Sequence, residues 1–448
     1  MSFARSSAPV RSALRTAAVP RQLAQRSFTT ANASGISTAS ADDGALTSSV
    51  TVAVKAGSRY ETAPGVAHVL KNYLFKSNQK RSALRLVREA EFYGGLLSTA
   101  LTKEHLLLTA EFLRGDEDFF VEVLGDVLSK SKFLAHEFNE EVLPQVQAEY
   151  AQAQSNPAVL GYDTLLQTAY RQRSLGHSLF ASPSSPVTHR QTVDFAHASF
   201  AKNNIAVLGS GIDSAKLNQL VSAHFGDLAA SASVSSTAAK YFGGEQRVAF
   251  AAPHGLEDTR AAHGHFFIAF EGAGHKDAEA AANLAVLRSL LGGESSVKWS
   301  NGVSPLSQIA ESVQGAKASA FNLTFSDSGV FGAHISAPTA SVQQAASKVA
   351  QELKNVAGGL KQDVIKAAIA KAKFERASVL ENRTASHELV SAQLLEGGKV
   401  ATLEESFAAL EGVKADSLAK VAEKLLKSKP TTVAVGDVHV LPYADEVL

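Results

Sequence analysis

Cysteine is absent from the 448 residues, and Met and Trp occur once each. Without thiolates there is no disulfide, no Cys-ligated zinc or iron-sulfur cluster and no cysteine nucleophile. No uninterrupted apolar run approaches the roughly 18 residues that a membrane-spanning helix requires. Net charge is missing too: 43 Lys+Arg balance 43 Asp+Glu, which leaves no overall basic footprint for nucleic acid. Phosphate cradles are also lacking. Gly209-Ser210-Gly211 has no third glycine of a dinucleotide fingerprint, and neither a Walker-type Gly-Lys-Ser/Thr nor a Gly-x-Ser-x-Gly elbow occurs. The expectation is a chain without cofactor or small-molecule substrate.

Acidic residues are missing from one region in particular. Residues 1–41 carry Arg5, Arg11, Arg15, Arg21 and Arg26 but no carboxylate before Asp42. Rich in Ser, Ala and Thr and free of a continuous apolar core, this stretch has the profile of a mitochondrial presequence rather than a secretory signal. The run Arg26-Ser27-Phe28 predicts cleavage after Phe28, removing residues 1–28, with a flexible segment at 29–44. Loss of those five arginines would leave a net charge of about −5.

What is present repeats. The small-residue stretch within 229–242 holds no side chain able to anchor a packing of its own and predicts a linker. It separates a domain at 45–228 from another at 243–448. Residues 49–56 (SVTVAVKA) and 266–273 (FFIAFEGA) alternate as strands, and each is followed by a helical segment, at 64–76 and 277–291. Paired strand signals follow, around His105–Leu113 in one half and at 321–325 with 330–336 in the other. Apolar helix faces come next, Phe119 to Leu128 and Val342 to Val356, and both halves close on short strands, IAVLG at 205–209 and TVAVG at 432–436. This order predicts a duplicated α+β domain, each copy a mixed, largely antiparallel sheet with helices packed on one face.

One segment bears on catalysis. Residues 65–78, GVAHVLKNYLFKSN, follow the first strand and open a helix. They resemble the zinc-binding segment of the pitrilysin-type metallopeptidases, the family that includes the mitochondrial processing peptidase. Active members carry His-x-x-Glu-His, two ligands one turn apart around the base that activates water. Here the frame reads His68, Lys71 and Asn72: an ammonium replaces the base and an amide replaces the second ligand. The family's third ligand, a later Glu, falls within EEVLPQVQAE at 140–149, either at Gln145 or at Glu149. The substrate-side Arg-Gly-x-x-Tyr of active members corresponds to Gln314-Gly315-Ala316-Lys317-Ala318, which lacks both Arg and Tyr. The resemblance therefore implies a non-catalytic relative that binds no metal. His263 and His265, which share a strand face, predict only a solvated strand end.

Within the family, SSVTVAVKAGSRYE at 48–61, VKWSNGVSPLSQ at 297–308, SAFNLTFSDSGVFG at 319–332 and the ending GDVHVLPYADEVL are similar to the core-subunit branch, the non-catalytic subunits of ubiquinol-cytochrome c reductase (respiratory complex III). That resemblance implies two homologous domains around a cleft and a peripheral place on the matrix side of the mitochondrial inner membrane. The implied partners are core protein 1, cytochrome b, cytochrome c1 and the Rieske protein. The alternative is the non-catalytic, presequence-binding subunit of a processing peptidase, whose mobile polyglycine loop is not matched at Leu290–Gly302, where only Gly292, Gly293 and Gly302 occur with Lys298 and Trp299.

Overall fold

A computed structural model describes residues 28–230, 234, 236–250, 263–293, 302–359 and 362–448. The expected presequence, apart from Phe28, and the loop carrying Lys298 and Trp299 lie outside the described residues. The first half contributes β1 (Thr29–Ala33), β2 (Ile36–Ala41), β3 (Thr47–Val54), β4 (Leu96–Leu101), β5 (Leu106–Leu113) and β6 (Ile205–Ser210). Its helices are α1 (Val66–Tyr73), α2 (Ala83–Phe92), α3 (Glu117–Ser129), the short α4 (Ala135–Glu137), α5 (Leu143–Gln154), α6 (Pro157–Ala169), α7 (His189–Ser199) and α8 (Ser214–His224). The second half contributes β7 (Gly244–Ala249), β8 (His263–Glu271), β9 (Lys317–Thr324), β10 (Gly329–Pro338) and β11 (Thr431–Gly436). With them run α9 (Ala278–Leu291), α10 (Pro305–Glu311), α11 (Val342–Ala357), α12 (Gln362–Glu381), α13 (Arg383–Gly397), α14 (Leu403–Glu411), α15 (Ala415–Lys427) and α16 (Ala444–Val447).

The duplication is complete in the sheets. Strand order is β1-β2-β6-β3-β5-β4 in the first and β7-β11-β8-β10-β9 in the second, so β2, β6, β3, β5 and β4 correspond to β7, β11, β8, β10 and β9. In each sheet one pairing is parallel, β2 with β6 and β7 with β11, and the remaining pairings are antiparallel. Strand alternation decides which side chains meet which helices. Val50, Val52 and Val54 of β3 face Phe120, Leu124 and Val127 of α3 and Leu70 of α1, while Phe266, Ile268 and Phe270 of β8 face Leu287 of α9, Val349 of α11 and Leu418 of α15.

The opposite face of each sheet is covered by a helix of the other half. α6 lies on the second sheet, where Leu165, Leu166, Ala169 and Tyr170 form one cluster with Phe267, Ala269, Val433 and Val435. Gly161 permits this approach, since a Cβ there would stand 2.1 Å from the Phe267 ring. α13 lies on the first sheet, with Val390 and Leu394 seated on Ala39, Ala53, Ala206 and Leu208. The helices of each half pack on one face of its own sheet, as expected, and the crossing helices add a layer on the other face.

One expected segment changes. Residues 29–44 are not a flexible segment: 29–33 and 36–41 form the β1-β2 hairpin, turned by Ser34 and Gly35 at positive φ, and β2 inserts beside β6. Its small Ser, Ala and Thr side chains hide a strand that is almost wholly buried, because α13 needs small residues beneath it. The linker is tied down at its described residues. Val234 N–H donates to Asn204 Oδ1 at 2.8 Å, Ala239 N–H to Asp327 Oδ2 at 2.9 Å and Phe242 N–H to the Ala169 carbonyl at 2.8 Å.

Candidate functional site

The metallopeptidase frame sits at the start of α1. Gly65 precedes the helix with φ 85°, and a Cβ there would meet Ala181 at 2.5 Å, so both conformation and packing demand glycine. Glu61 caps this N-terminus, its carboxylate accepting from Gly65 N–H at 3.0 Å and Ala67 N–H at 3.2 Å. Burial pushes that carboxyl up to about 8 despite the two donors.

Three side chains of α1 converge on one carboxylate oxygen. Glu149 Oε2, from α5, lies 2.7 Å from His68 Nε2, 2.7 Å from Lys71 Nζ and 3.1 Å from Asn72 Nδ2. Glu149 therefore takes the place facing His68, and Gln145, one turn earlier on the same helix face, donates to Glu149 Oε1 at 3.3 Å. Spacing alone leaves these two positions open because residues i and i+4 share a face. Burial raises the Glu149 carboxyl, but the donors from Lys71, Asn72 and His68 outweigh it and hold it at about 2.

His68 is buried and its tautomer is set by its neighbours. Ala181 N–H donates to Nδ1 at 3.1 Å, so the proton resides on Nε2 and is given to Glu149. A histidine binding zinc through Nε2 has the reverse polarity, with Nδ1–H donating to an acceptor and Nε2 bare. Burial, only partly offset by Glu149, lowers the basicity of this ring. The residues present do not fit a zinc ion: the cation belonging to the site is the Lys71 ammonium, and it stands where the family's water-activating carboxylate would stand. Among the described residues no group of three or more His, Asp and Glu side chains is placed to hold a metal. Gln314, the remaining expected position, is exposed in the turn ahead of β9.

Other ionisable groups were not singled out by the sequence. Arg59 is buried between the halves, its guanidinium 2.8 Å from Glu104 and 2.6 Å from Asp327, with Nε donating to Ser236 at 2.7 Å. Asp327 in turn holds the linker at Ala239. An Arg five residues past a buried strand, in SVTVAVKAGSR, is the signal that could have found it, since a buried charge needs partners. Lys103 similarly meets Asp163 of α6 at 3.0 Å and the His177 carbonyl at 2.6 Å. His387 of α13 is buried with both ring nitrogens 2.7 Å from hydroxyls of the first sheet, Thr51 and Ser210. The expected solvated strand end is corrected at His265, which stacks on His334 of β10 with ring centroids 5.3 Å apart, while Tyr162 of α6 lies against His334.

Fold and site together define a duplicated metallopeptidase scaffold in which an internal ion pair occupies the hydrolytic centre. The chain belongs to the Insulinase (Peptidase family M16) group, whose model matches residues 37–182, followed by the Peptidase M16 inactive domain at residues 186–372. It is similar to cytochrome b-c1 complex subunit 2, mitochondrial, of Cryptococcus neoformans var. grubii, with 46% identity spanning 95% of each chain. The same-named protein of Neurospora crassa is 36% identical over 95% of this chain and 94% of its own. The mitochondrial-processing peptidase subunit alpha of Solanum tuberosum is 28% identical over 93% of this chain and 83% of its own. Within its family the chain is non-catalytic, as its cluster geometry requires.

Proposed function

We propose that this chain is a structural core subunit of mitochondrial respiratory complex III, the second of its two core subunits, which supports assembly of the complex that passes electrons from ubiquinol to cytochrome c. The similarity to the two fungal subunits over almost the whole chain carries this reading. The ion-paired cluster supports it: Glu149 is neutralised by Lys71, and His68 holds its proton toward Glu149, so the scaffold is retained without its chemistry. No helix among the described residues is long and apolar enough to cross a membrane, which suits peripheral attachment on the matrix face beside core protein 1, cytochrome b, cytochrome c1 and the Rieske protein.

A surface patch suits assembly as well. Leu84 and Val87 of α2, Phe92 at its end and Leu96 at the start of edge strand β4 are 60%, 49%, 85% and 69% exposed. Exposed large apolar side chains on adjoining elements are the kind of surface another protein packs against. The test is affinity isolation of the tagged chain from gently solubilised inner membranes. Cytochrome b and a second subunit of the same fold should co-purify in near-equimolar amounts, and Phe92→Asp with Leu96→Asp should reduce that recovery without unfolding the chain. Recovery as free matrix protein, or with a subunit bearing an intact His-x-x-Glu-His, would overturn the reading in favour of the presequence-binding alternative.

A further inference from the structure

The two sheets are copies except at one edge. In the first, β1 runs antiparallel along the outer side of β2, whereas in the second nothing among the described residues pairs with the outer side of β7, the counterpart of β2. The chain ahead of β7 cannot fill that place. Its described residues are committed elsewhere, Ser236 to Arg59, Ala239 to Asp327 and Phe242 to Ala169.

The register shows which groups the open edge offers. Gly244 N–H and Phe250 N–H donate toward β11, to Pro430 and Gly436, each at 3.0 Å. In a parallel pairing residues alternate between the two sides, so 246 and 248 also face β11. Glu245, Arg247 and Ala249 direct their N–H and C=O groups outward. β7 is correspondingly half-exposed to exposed along its length, where β2 is buried.

Beside this edge lies a groove of about 510 Å³ lined by Thr164, Gln167, Arg171, Gln172, Gln246 and Val248. Its rim is cationic. Arg171 stacks over Phe242 at 4.4 Å, Lys240 approaches the same ring at 5.6 Å, and Lys429 adjoins Gly243. None of the three has a carboxylate partner among the described residues. Among the described residues the only carboxylate lining the groove, Glu245, is turned to Arg247 at 3.9 Å. Arg171 also occupies φ 51° just after α6, where glycine is the usual residue.

We propose that the outer edge of β7 receives an extended, acidic segment of another polypeptide as an added antiparallel strand, in the place that β1 fills in the first sheet. Its backbone pairs with residues 245, 247 and 249, and its carboxylates meet Arg171, Lys240 and Lys429. Charge decides against two other occupants, the N-terminal residues and a second copy. Residues 1–27 of this chain carry five arginines and no carboxylate, and a second copy docked edge to edge would bring two cationic rims together.

The probe is a fluorescein-labelled peptide alternating Val with Asp, titrated against the purified full chain and followed by anisotropy. Saturable binding is expected, absent when every second peptide nitrogen is methylated and absent when Lys replaces Asp. Ala249→Pro removes one outward N–H without taking a bond from the β11 ladder, and should weaken binding about tenfold. Arg171→Glu should weaken it by a similar factor, which keeps the test decisive if the proline variant does not fold. Equal affinity for the Lys peptide, or indifference to both substitutions, overturns the proposal. Because the chain has no cysteine, Gln246→Cys bearing a photoactivatable maleimide reports the occupant in the native assembly. A cross-link mapped to a carboxylate-rich segment of a different chain supports the proposal; one to residues 1–27 or to Cys at the same position of another copy overturns it.

Discussion

Where α6 crosses to the second sheet it presses Leu165, Leu166 and Tyr170 onto Phe267, Val433 and Val435. Where α13 crosses to the first sheet it places Val390 and Leu394 on alanines, but its centre is His387, shared between Thr51 and Ser210, and its end carries Glu396 beside Glu104 and His105. The two clasps occupy equivalent places and hold by different physics. One works by area removed from water and tolerates small shifts, whereas the other works by directional bonds and tolerates few. The duplication has thus fixed the layers of the halves but not the chemistry that joins them.

Breaking the joint at its ionic centre should have the largest effect. Arg59→Ala leaves buried Glu104 and half-buried Asp327 without their cation and should cost about 4 kcal/mol in urea unfolding; a loss under about 1 kcal/mol would show that the two halves do not depend on this network. Leu165→Ala empties the apolar clasp and should cost about 3 kcal/mol, with hydrogen exchange rising in α6 before α13.

pH then separates the clasps. Burial depresses the His387 ring to about 4 and, under α6, the His334 ring to about 3, each below the ordinary value of 6.5. The unfolded chain binds those protons first, so both clasps weaken as pH falls from 6.5 toward 4. Burial, reinforced by Glu104, raises the Glu396 carboxyl from 4.5 to about 8. Here the folded chain keeps the proton longer, so stability drains as pH rises from 4.5 to 8, and of the two clasps only α13 carries this loss. Glu396→Gln should raise the thermal midpoint at pH 8 by a few degrees, and an unchanged midpoint would assign no alkaline weakness to that clasp.

The smallest effect belongs to the relic centre. Lys71→Met should leave the fold intact and move the Glu149 carboxyl upward from about 2 toward its ordinary 4.5, read by carbon-detected NMR titration. Zinc added to that variant should still not bind tightly, because Ala181 keeps the proton of His68 on Nε2.

The sequence showed the repeated unit because its strands alternate strongly: Val50, Val52 and Val54, or Phe266, Ile268 and Phe270, mark their faces without help. It did not show β1 and β2, whose Ala and Ser pattern carries almost no hydropathy contrast, although Ala39 is fully buried in one cluster with Val390 and Leu394 of α13. At the site, His68, Lys71 and Asn72 were legible as a broken frame from residue type alone. The choice of Glu149 over Gln145 needed the helix phase, and the tautomer of His68 needed Ala181, which is remote in sequence. Arg59, His387 and Glu396 stayed hidden because their partners come from the opposite half.

The exchange of α6 and α13 also sets an order of events for a chain that emerges from its N-terminus. The alanine face of the first sheet stays bare until residue 397 has followed, and α6 has no surface to lie on until β8 and β11 exist. Neither half can finish alone. A chain threaded through a narrow passage must therefore pass almost to its end before the alanine face of its first sheet is covered, and a chaperone that masks that face would govern the yield of the folded protein.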